Sequence, residues 1–528
     1  MKRRDLLTLG AAAATLHLPR LARAQDQTVL RFVPQADLAA VDPMWTTAYV
    51  TRNHGYLVFD TLYGLDDQYR PQPQMVEGHV SDKDGREWTL TLRQGLLFHD
   101  GTPVLARDVI ASIRRWGTRD AYGQALLAAT EDITAVSDRV LRFQLRKPFP
   151  LLPNALGKAP SYMPCIMPER LARTEPMTQV TEVVGSGPYR FVADERVQGA
   201  RFVYERNPKY LPRPGGEPSF TSGPKLAKFD RIEWHVIPDA ATAAAALQSG
   251  EVDWWEQPIP DIQPVLQANR NIALELTDPT GVIGALRFNA LQPPFDNPGV
   301  RRAVLTAVNQ DDFMAAVVGG DKSRYRTGIG AFCPVSAMAN DAGIEVLTGP
   351  RDLAGAAKAL RSAGYNGEKV VVLAPTDFPS INAMSLYTAD LFRRLGMNVD
   401  LQMMDWGTLT QRRGSKAPPD KGGWSVFCGA SSGQEMFDPT AHNYLRGNGA
   451  SGWFGWPTAP RLEELRDAWF EAPDLAGQQR IARELQLQLW QEVTYVPLGQ
   501  FFQPTAYRKT ITGVLKGGFP LFYNVRRV

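Results

Sequence analysis

The sequence has 528 residues, 44% of them hydrophobic, with 58 Lys and Arg against 55 Asp and Glu. Five of the basic residues but only one acid (Asp5) fall in the first 24 positions, which leaves 53 basic against 54 acidic groups in the remainder. That near-neutral balance excludes the basic footprint of a nucleic-acid or anionic-membrane binder. Cys165, Cys333 and Cys428 are too few and too far apart for a disulfide framework or a Cys-x-x-Cys site.

The first 24 residues read as an export signal. Arg3-Arg4-Asp5-Leu6-Leu7 is of twin-arginine type, residues 8–18 are weakly apolar, and Ala22-Arg23-Ala24 fits a small-x-small cleavage site. The apolar run is shorter than the roughly 20 residues that span a bilayer. No cysteine near the cleavage site offers a lipid anchor. The mature chain is therefore expected to be soluble in the periplasm, without a stable membrane anchor, and monomeric. The cysteines are then expected to be buried small hydrophobes, with at most one disulfide.

Residues 88–116 are the first strongly patterned stretch. Trp88, Leu90 and Leu92 alternate with Thr89, Thr91 and Arg93, the period of a half-buried strand. Gln94-Gly95 and Asp100-Gly101 turn on either side of a second short strand at 96–98. Val109, Ile110, Ile113 and Trp116 then recur at helical spacing. Leu105, at the helix entry, cannot accept a capping hydrogen bond, at a cost of about 1 kcal/mol; Thr102 is the alternative cap.

Residues 211–224 form a Pro/Gly-rich loop. Residues 232–255 read as strand–helix–strand, with Asp239 as N-cap, a helix over 240–248 and Gly250 as its stop. Asn297-Pro298 opens another helix. The apolar run 370–374 suits a strand buried on both faces. A helix over 380–395 follows, ended by Gly396, and then Val399, Leu401 and Met403 alternate with polar neighbours. This is a βαβ unit with parallel strands. With some 500 mature residues, two or three lobes of α/β type are expected.

Two motifs fail on context. Residues 429–433 fit G-x-S-x-G, but 434–439 make a poor helix and His442 follows too closely for an intervening acid. Residues 447–452 fit G-x-G-x-x-G, but Trp453 to Pro457 cannot start the helix that a pyrophosphate needs. The histidines after the leader (His54, His79, His99, His235, His442) show no paired ligand spacing and are expected at the surface or in turns. No catalytic residue, cofactor or metal is expected.

The pattern R-x-G-x-x-F-x-D-G-x-P at 93–103 resembles the peptide/nickel class (family 5) of extracytoplasmic solute-binding proteins of ABC importers. VGSGPYRF (184–191), ERNPKY (205–210), DRIEWHVIPDAATAAAALQSGEVD (230–253), LRFNALQPPFDNPGVRRAVLTAVN (286–309), LFRRLGMNVDLQMMDW (391–406) and LQLWQEVTYVPLG (487–499) resemble later blocks of that family, in its order. The resemblance implies a periplasmic binding protein-like α/β fold, with two large lobes joined by a hinge and a smaller inserted β-rich lobe. Lobe I would take 26–62, 188–283 and 500–528, the inserted lobe 63–187, and lobe III 284–499. The implied function is capture of a small peptide-like or other organic solute and its delivery to a permease in the inner membrane. A cofactor-dependent exported enzyme and a sensory binding protein are the alternatives.

Trp45, Thr46 and Tyr49 in lobe I and Trp406, Trp424, Phe427 and Cys428 in lobe III are the residues expected against the ligand. Trp406 and Trp424 lie at predicted strand ends, and a buried ring contributes several kcal/mol gross. One departure stands out. Peptide-binding members carry an Asp shortly after a Trp, where it pairs with the ligand ammonium. Here Gly423-Trp424 is followed by Ser425-Val426-Phe427-Cys428, and the next carboxylates are Glu435 and Asp438. Peptides with a free N-terminus are therefore expected to bind weakly unless Glu435 or Asp438 swings in.

Overall fold

The computed structural model describes residues 28–472 and 474–528; the export signal read at 1–24 lies outside them. The described chain opens with strand β1 (Val29–Val33) and helix α1 (Tyr49–Val58). It continues through β2 (Val76–Ser81), β3 (Glu87–Leu92), α2 (Ala106–Arg119), α3 (Ala121–Ala129), β4 (Thr130–Ala135) and β5 (Val140–Leu145). Then come β6 (Tyr189–Phe191), β7 (Arg201–Arg206), β8 (Arg231–His235), α4 (Ala240–Ser249), β9 (Trp254–Trp255) and β10 (Ile272–Glu275). The second half runs β11 (Val282–Phe288), α5 (Pro298–Ala307), β12 (Tyr325–Arg326), β13 (Lys369–Pro375), α6 (Pro379–Arg394), β14 (Asn398–Met404), α7 (Trp406–Arg412), β15 (Val426–Ser432), α8 (Leu475–Glu492), β16 (Tyr495–Phe501) and β17 (Thr505–Arg508).

Two mixed sheets carry the molecule. The seven-stranded sheet has the order β10-β17-β9-β1-β8-β7-β6, and the six-stranded sheet β12-β16-β11-β15-β13-β14. β2 to β5 form a separate antiparallel sheet in the order β2-β3-β5-β4. The main chain passes between the large sheets twice, through 276–281 after β10 and through 502–504 before β17. Each large sheet has its own apolar core. The first centres on Phe32, Trp234, Trp254 and Phe522, with ring centroids 4.8–5.7 Å apart. The second packs α5 and α6 on β11, β13 and β15.

Local chemistry explains the elements. Asp239 accepts from Thr242 N at 2.7 Å to start α4, and Gly250 ends it at φ +88°, a conformation that favours glycine. Asn297 accepts from Gly299 N at 2.8 Å beneath Pro298 at the head of α5. β13 and β14 pair in parallel around α6, and Val370 to Ala374 have no exposed surface. β14 is the sheet edge, so its predicted inner face is only half-buried and Met403 stays 52% exposed.

Three readings are corrected. Residues 96–98 are not a regular strand; Phe98 N bonds Thr102 O at 2.8 Å and Val104 N bonds Leu96 O at 3.0 Å in a tight loop. Thr102 does not cap α2; its own N–H and hydroxyl donate to Asp100, and Asp108 accepts the Leu105 N–H at 2.9 Å instead. His54 and His442 are buried rather than at the surface, each with a ring nitrogen on a protein oxygen: Tyr204 OH at 3.0 Å and Ala331 O at 2.7 Å. Burial pushes their pKa values down to about 3 and about 4. All three cysteines are free and buried.

Candidate functional site

The two cores meet along a cleft, and hydrogen bonds cross it. Tyr49 lies in the first turn of α1, whose entry is fixed by Thr46 Oγ1 accepting from Ala48 N at 3.2 Å. Its hydroxyl donates to Glu435 Oε2 at 2.7 Å and accepts from Ser432 N at 2.7 Å. Ser161 reaches the same carboxylate from the first core, with its N–H 3.1 Å and its hydroxyl 2.5 Å from Glu435 Oε1. Glu435 sits on a single 3₁₀ turn, Gly433–Met436, directly after β15. Burial, followed by the negative charge of Glu435, holds the Tyr49 phenol well above its ordinary pKa, so it stays a donor.

The opposite wall is aromatic. Asp405 accepts from Thr408 N at 2.9 Å and starts α7, which sets Trp406 at the cleft. Arg413 follows the last turn of α7 and lies 4.8–5.8 Å from the ring centroids of Trp406, Phe427, Trp453 and Phe454. Its Nη2 donates to Thr47 Oγ1 across the cleft at 2.9 Å, and burial lowers its pKa.

The cleft holds two joined spaces. The inner chamber, about 70 Å³ at the centres of water-sized spheres, is lined by Tyr49, Ser161, Arg413, Gly429, Ala430, Ser431, Glu435, Tyr444 and Trp453 among others. One water needs about 10–15 Å³ on that measure, so the chamber takes a small polar group. The outer chamber is about 680 Å³ and adds Trp45, Thr46, Arg119, Tyr162, Lys416 and Trp456. Trp406, Asn443 and Trp453 line both. The body of an organic solute fits the outer space.

Of the residues expected against the ligand, the structure brings Tyr49 to the inner chamber, Trp45 and Thr46 to the outer one, and Trp406 to both. Trp424, Phe427 and Cys428 line neither and have no exposed surface. Trp424 packs behind the wall, edge-on to Phe427 and tilted against Trp456, and Cys428 turns away to Thr388 Oγ1 at 3.3 Å. The reason is the length of β15. Its middle is covered on both faces, and only its end, Gly429 to Ser431, reaches the cleft. Arg413, Ser161, Thr47 and Tyr444 were not found by sequence. None of the four carried a signal in the sequence; Arg413 is the second of an adjacent pair, Arg412-Arg413, at the end of the helix that begins with Trp406.

The two glycine motifs border the cleft. Ser431 is the penultimate residue of a strand followed by one 3₁₀ turn, not the helix of a nucleophile elbow. Residues 447–452 contain the 3₁₀ turn Gly449–Ser451, and Asn448, Ala450 and Gly452 line the outer chamber. Among the described residues no group of three His, Cys, Asp or Glu could hold a metal ion, and no helix is long and apolar enough to cross a membrane.

Comparison with known proteins follows the same line. The sequence pattern of the bacterial extracellular solute-binding proteins, family 5 (middle region), matches residues 70–452. The chain is 37% identical over 535 residues to the probable peptide ABC transporter periplasmic-binding protein y4tO of Sinorhizobium fredii NGR234, covering 100% of this chain and 99% of that one. It is 25% identical over 529 residues to the glutathione-binding protein GsiB of Salmonella typhimurium, covering 96% and 95%. Its fold is similar to the periplasmic binding protein AgaA of A. tumefacien R10, in complex with agropinic acid (TM-score 0.80, 20% identity, 95% and 99% covered). It is also similar to DppA of Helicobacter pylori in complex with the peptide STSA (TM-score 0.79, 20% identity, 96% and 99% covered).

Proposed function

The chain belongs to the bacterial extracellular solute-binding proteins of family 5, and from that premise we propose that it captures a small, amino-acid-derived organic solute in the periplasm and hands it to the permease of an ABC importer. The observation that carries this reading is the cleft itself. A small inner chamber, where Tyr49, Ser161, Arg413 and Glu435 meet, adjoins at Trp406 and Trp453 a larger, aromatic-walled space, and residues from both cores line each part. The names of relatives matched over their full length point to peptides and to glutathione, both amino-acid-derived.

The site favours binding over reaction. Glu435 already accepts from Tyr49 and Ser161, so a ligand ammonium gains it only by displacing protein donors. Peptides with a free N-terminus are expected to bind weakly for that reason. The proposed export route is the twin-arginine signal, cleaved near Ala24, and the released protein acts as a monomer on a separate permease and ATPase.

The test is a mass measurement on protein purified from the periplasm. Native and denatured masses are expected to differ by one discrete solute. No excess mass, together with no thermal shift from any peptide or amino-acid conjugate at high concentration, sinks the proposal. A solute at 100 times its Kd raises stability by about 2.7 kcal/mol, which a melt detects.

A further inference from the structure

Most buried indole N–H groups in this protein have an acceptor. Trp45, Trp116, Trp254 and Trp490 each donate Nε1–H to an oxygen at 2.6–2.9 Å. Trp234 and Trp424 do not, but both are fully buried in apolar cores and line neither chamber. Trp453 is different. Its Nε1 is buried without a hydrogen-bond partner among the described residues, yet its ring lines both chambers at the place where they join. An indole nitrogen can only donate. Left without an oxygen it costs free energy, which an arriving acceptor returns.

The ring is not free to turn in search of one. It lies edge-on to Tyr444 at 4.8 Å and to Phe427 at 5.9 Å. The guanidinium of Arg287 stands 5.4 Å from its centroid. The residues that follow are pinned: Arg287 Nε donates to Phe454 O and Ala290 N to Gly455 O, each at 2.7 Å. Gly455 takes φ +98°, and a Cβ there would stand 2.4 Å from Phe288 O. The segment that fits G-x-G-x-x-G thus leads into a donor that is fixed before any solute arrives, and a fixed donor loses little order on binding. Its position says which part of a solute it meets. One end group fits the inner chamber and the body fits the outer one, so a donor at their junction faces the atoms that link the two.

We infer that the Trp453 indole N–H determines specificity at the waist of the cleft by donating to a carbonyl oxygen in the link of the captured solute. Conjugates whose two parts are joined through an acyl group are accepted, and those joined through a secondary amine are not. This rests on the solute-capture reading and narrows it.

The experiment uses the whole mature protein. The probes are N-acyl amino acids and dipeptides, each with its thioamide analogue and with the corresponding secondary amine. Sulfur in place of the carbonyl oxygen keeps the shape of the link and accepts a hydrogen bond more weakly. Where no probe binds, the solute captured at export takes their place. Calorimetry is read for the wild type and Trp453→Phe. At least one acyl compound is expected to bind the wild type, with its thioamide about 3- to 10-fold weaker. Trp453→Phe should bind the acyl compound weaker by a similar factor and bring the ratio of the two affinities to about one. In protein with isotopically labelled indole nitrogens, the resonance that Trp453→Phe deletes should move downfield when the acyl compound or the captured solute binds. A ring with a merely structural role would leave both the ratio and that resonance unmoved. Should Trp453→Phe not fold, benzothienylalanine at position 453 keeps the bicyclic shape, replaces the N–H by sulfur and supplies the same ratio.

An acyl-to-thioamide ratio that is equal in the wild type and the variant overturns the assignment. So does an indole resonance that stays in place on binding, which would mean that water alone satisfies the N–H. If the secondary amines bind as well as the acyl compounds, or the solute captured at export has no carbonyl oxygen, the role of Trp453 falls and solute capture stands. If no probe binds and nothing is captured, both fall.

Discussion

Glu256 shows how one buried carboxyl can set a pH dependence. It accepts from Asn53 Nδ2 and Gln35 N, each at 2.8 Å, at the end of β9. Desolvation raises its pKa from 4.5 to about 7, against the smaller pull of these bonds and of Arg52. The folded state therefore binds the proton more tightly than the unfolded chain. The stability this gives is complete below pH 4.5 and is lost as pH rises through about 7. At about 1.36 kcal/mol per unit, the loss amounts to about 3 kcal/mol. Glu256→Gln is expected to abolish it. In urea melts from pH 4.5 to 7.5, the wild type minus Glu256→Gln difference should fall with pH, and a flat difference refutes the assignment. His54, with its pKa lowered to about 3, has the opposite slope, losing its contribution as pH falls below 6.5; being common to both proteins, it cancels. At this scale the sequence was legible for Tyr49 and Trp406. It was not legible for Trp424, because a Trp at a strand start packs a core as readily as a pocket. Arg413 stayed hidden because the rings that surround it, Phe427, Trp453 and Phe454, come from later parts of the chain and meet it only in the folded arrangement.

Elements were easiest to read where a single side chain fixes an end. Asp239 and Gly250 bracket α4, and Asn297-Pro298 starts α5, because each satisfies or accommodates a specific backbone group. Asp239→Ala removes the bond to Thr242 N and is expected to cost about 1 kcal/mol, whereas Asp239→Ser should restore most of it. Equal melting temperatures for the three proteins would falsify the capping role. The parallel unit of β13, α6 and β14 was legible from its change of period. Its edge position was not, since strand order is decided by distant partners. Residues 96–98 misled for a related reason. Two turns bring Leu96 and Val104 together, but the segment pairs only with itself and never joins a sheet. At the entry of α2, Asp108 supplies from within the helix the bond that Leu105 cannot.

For the whole molecule, the question is what holds the two large sheets against each other. Among the described residues two stretches of main chain, 276–281 and 502–504, join them, which fits a hinge. The remaining contacts cross the cleft, and they differ in weight. Lys147 to Glu471, at 2.6 Å, joins two half-exposed side chains, and such pairs contribute about 0–1 kcal/mol. Tyr49, Ser161 and Glu435 form a buried, charge-assisted network, where a bond contributes about 1.5–3 kcal/mol net. Tyr49→Phe keeps the ring and removes the hydroxyl that joins Glu435 and Ser432 N. The ratio of closed to open molecules is then expected to fall about 10- to 100-fold. Small-angle scattering of the ligand-free protein should show a larger radius of gyration for Tyr49→Phe than for the wild type, and no change for Lys147→Ala. Reading the ligand-free state matters, because Tyr49 also lines the inner chamber and a loss of affinity alone would not separate closure from contact. Saturating ligand should return Tyr49→Phe to the wild-type radius, since a solute that bridges the cleft adds its own preference for the closed form. If the variant scatters like the wild type without ligand, the hinge is held elsewhere, and Arg466, which donates to Ala121 O at 2.9 Å from the far end of the cleft, is the next contact to remove.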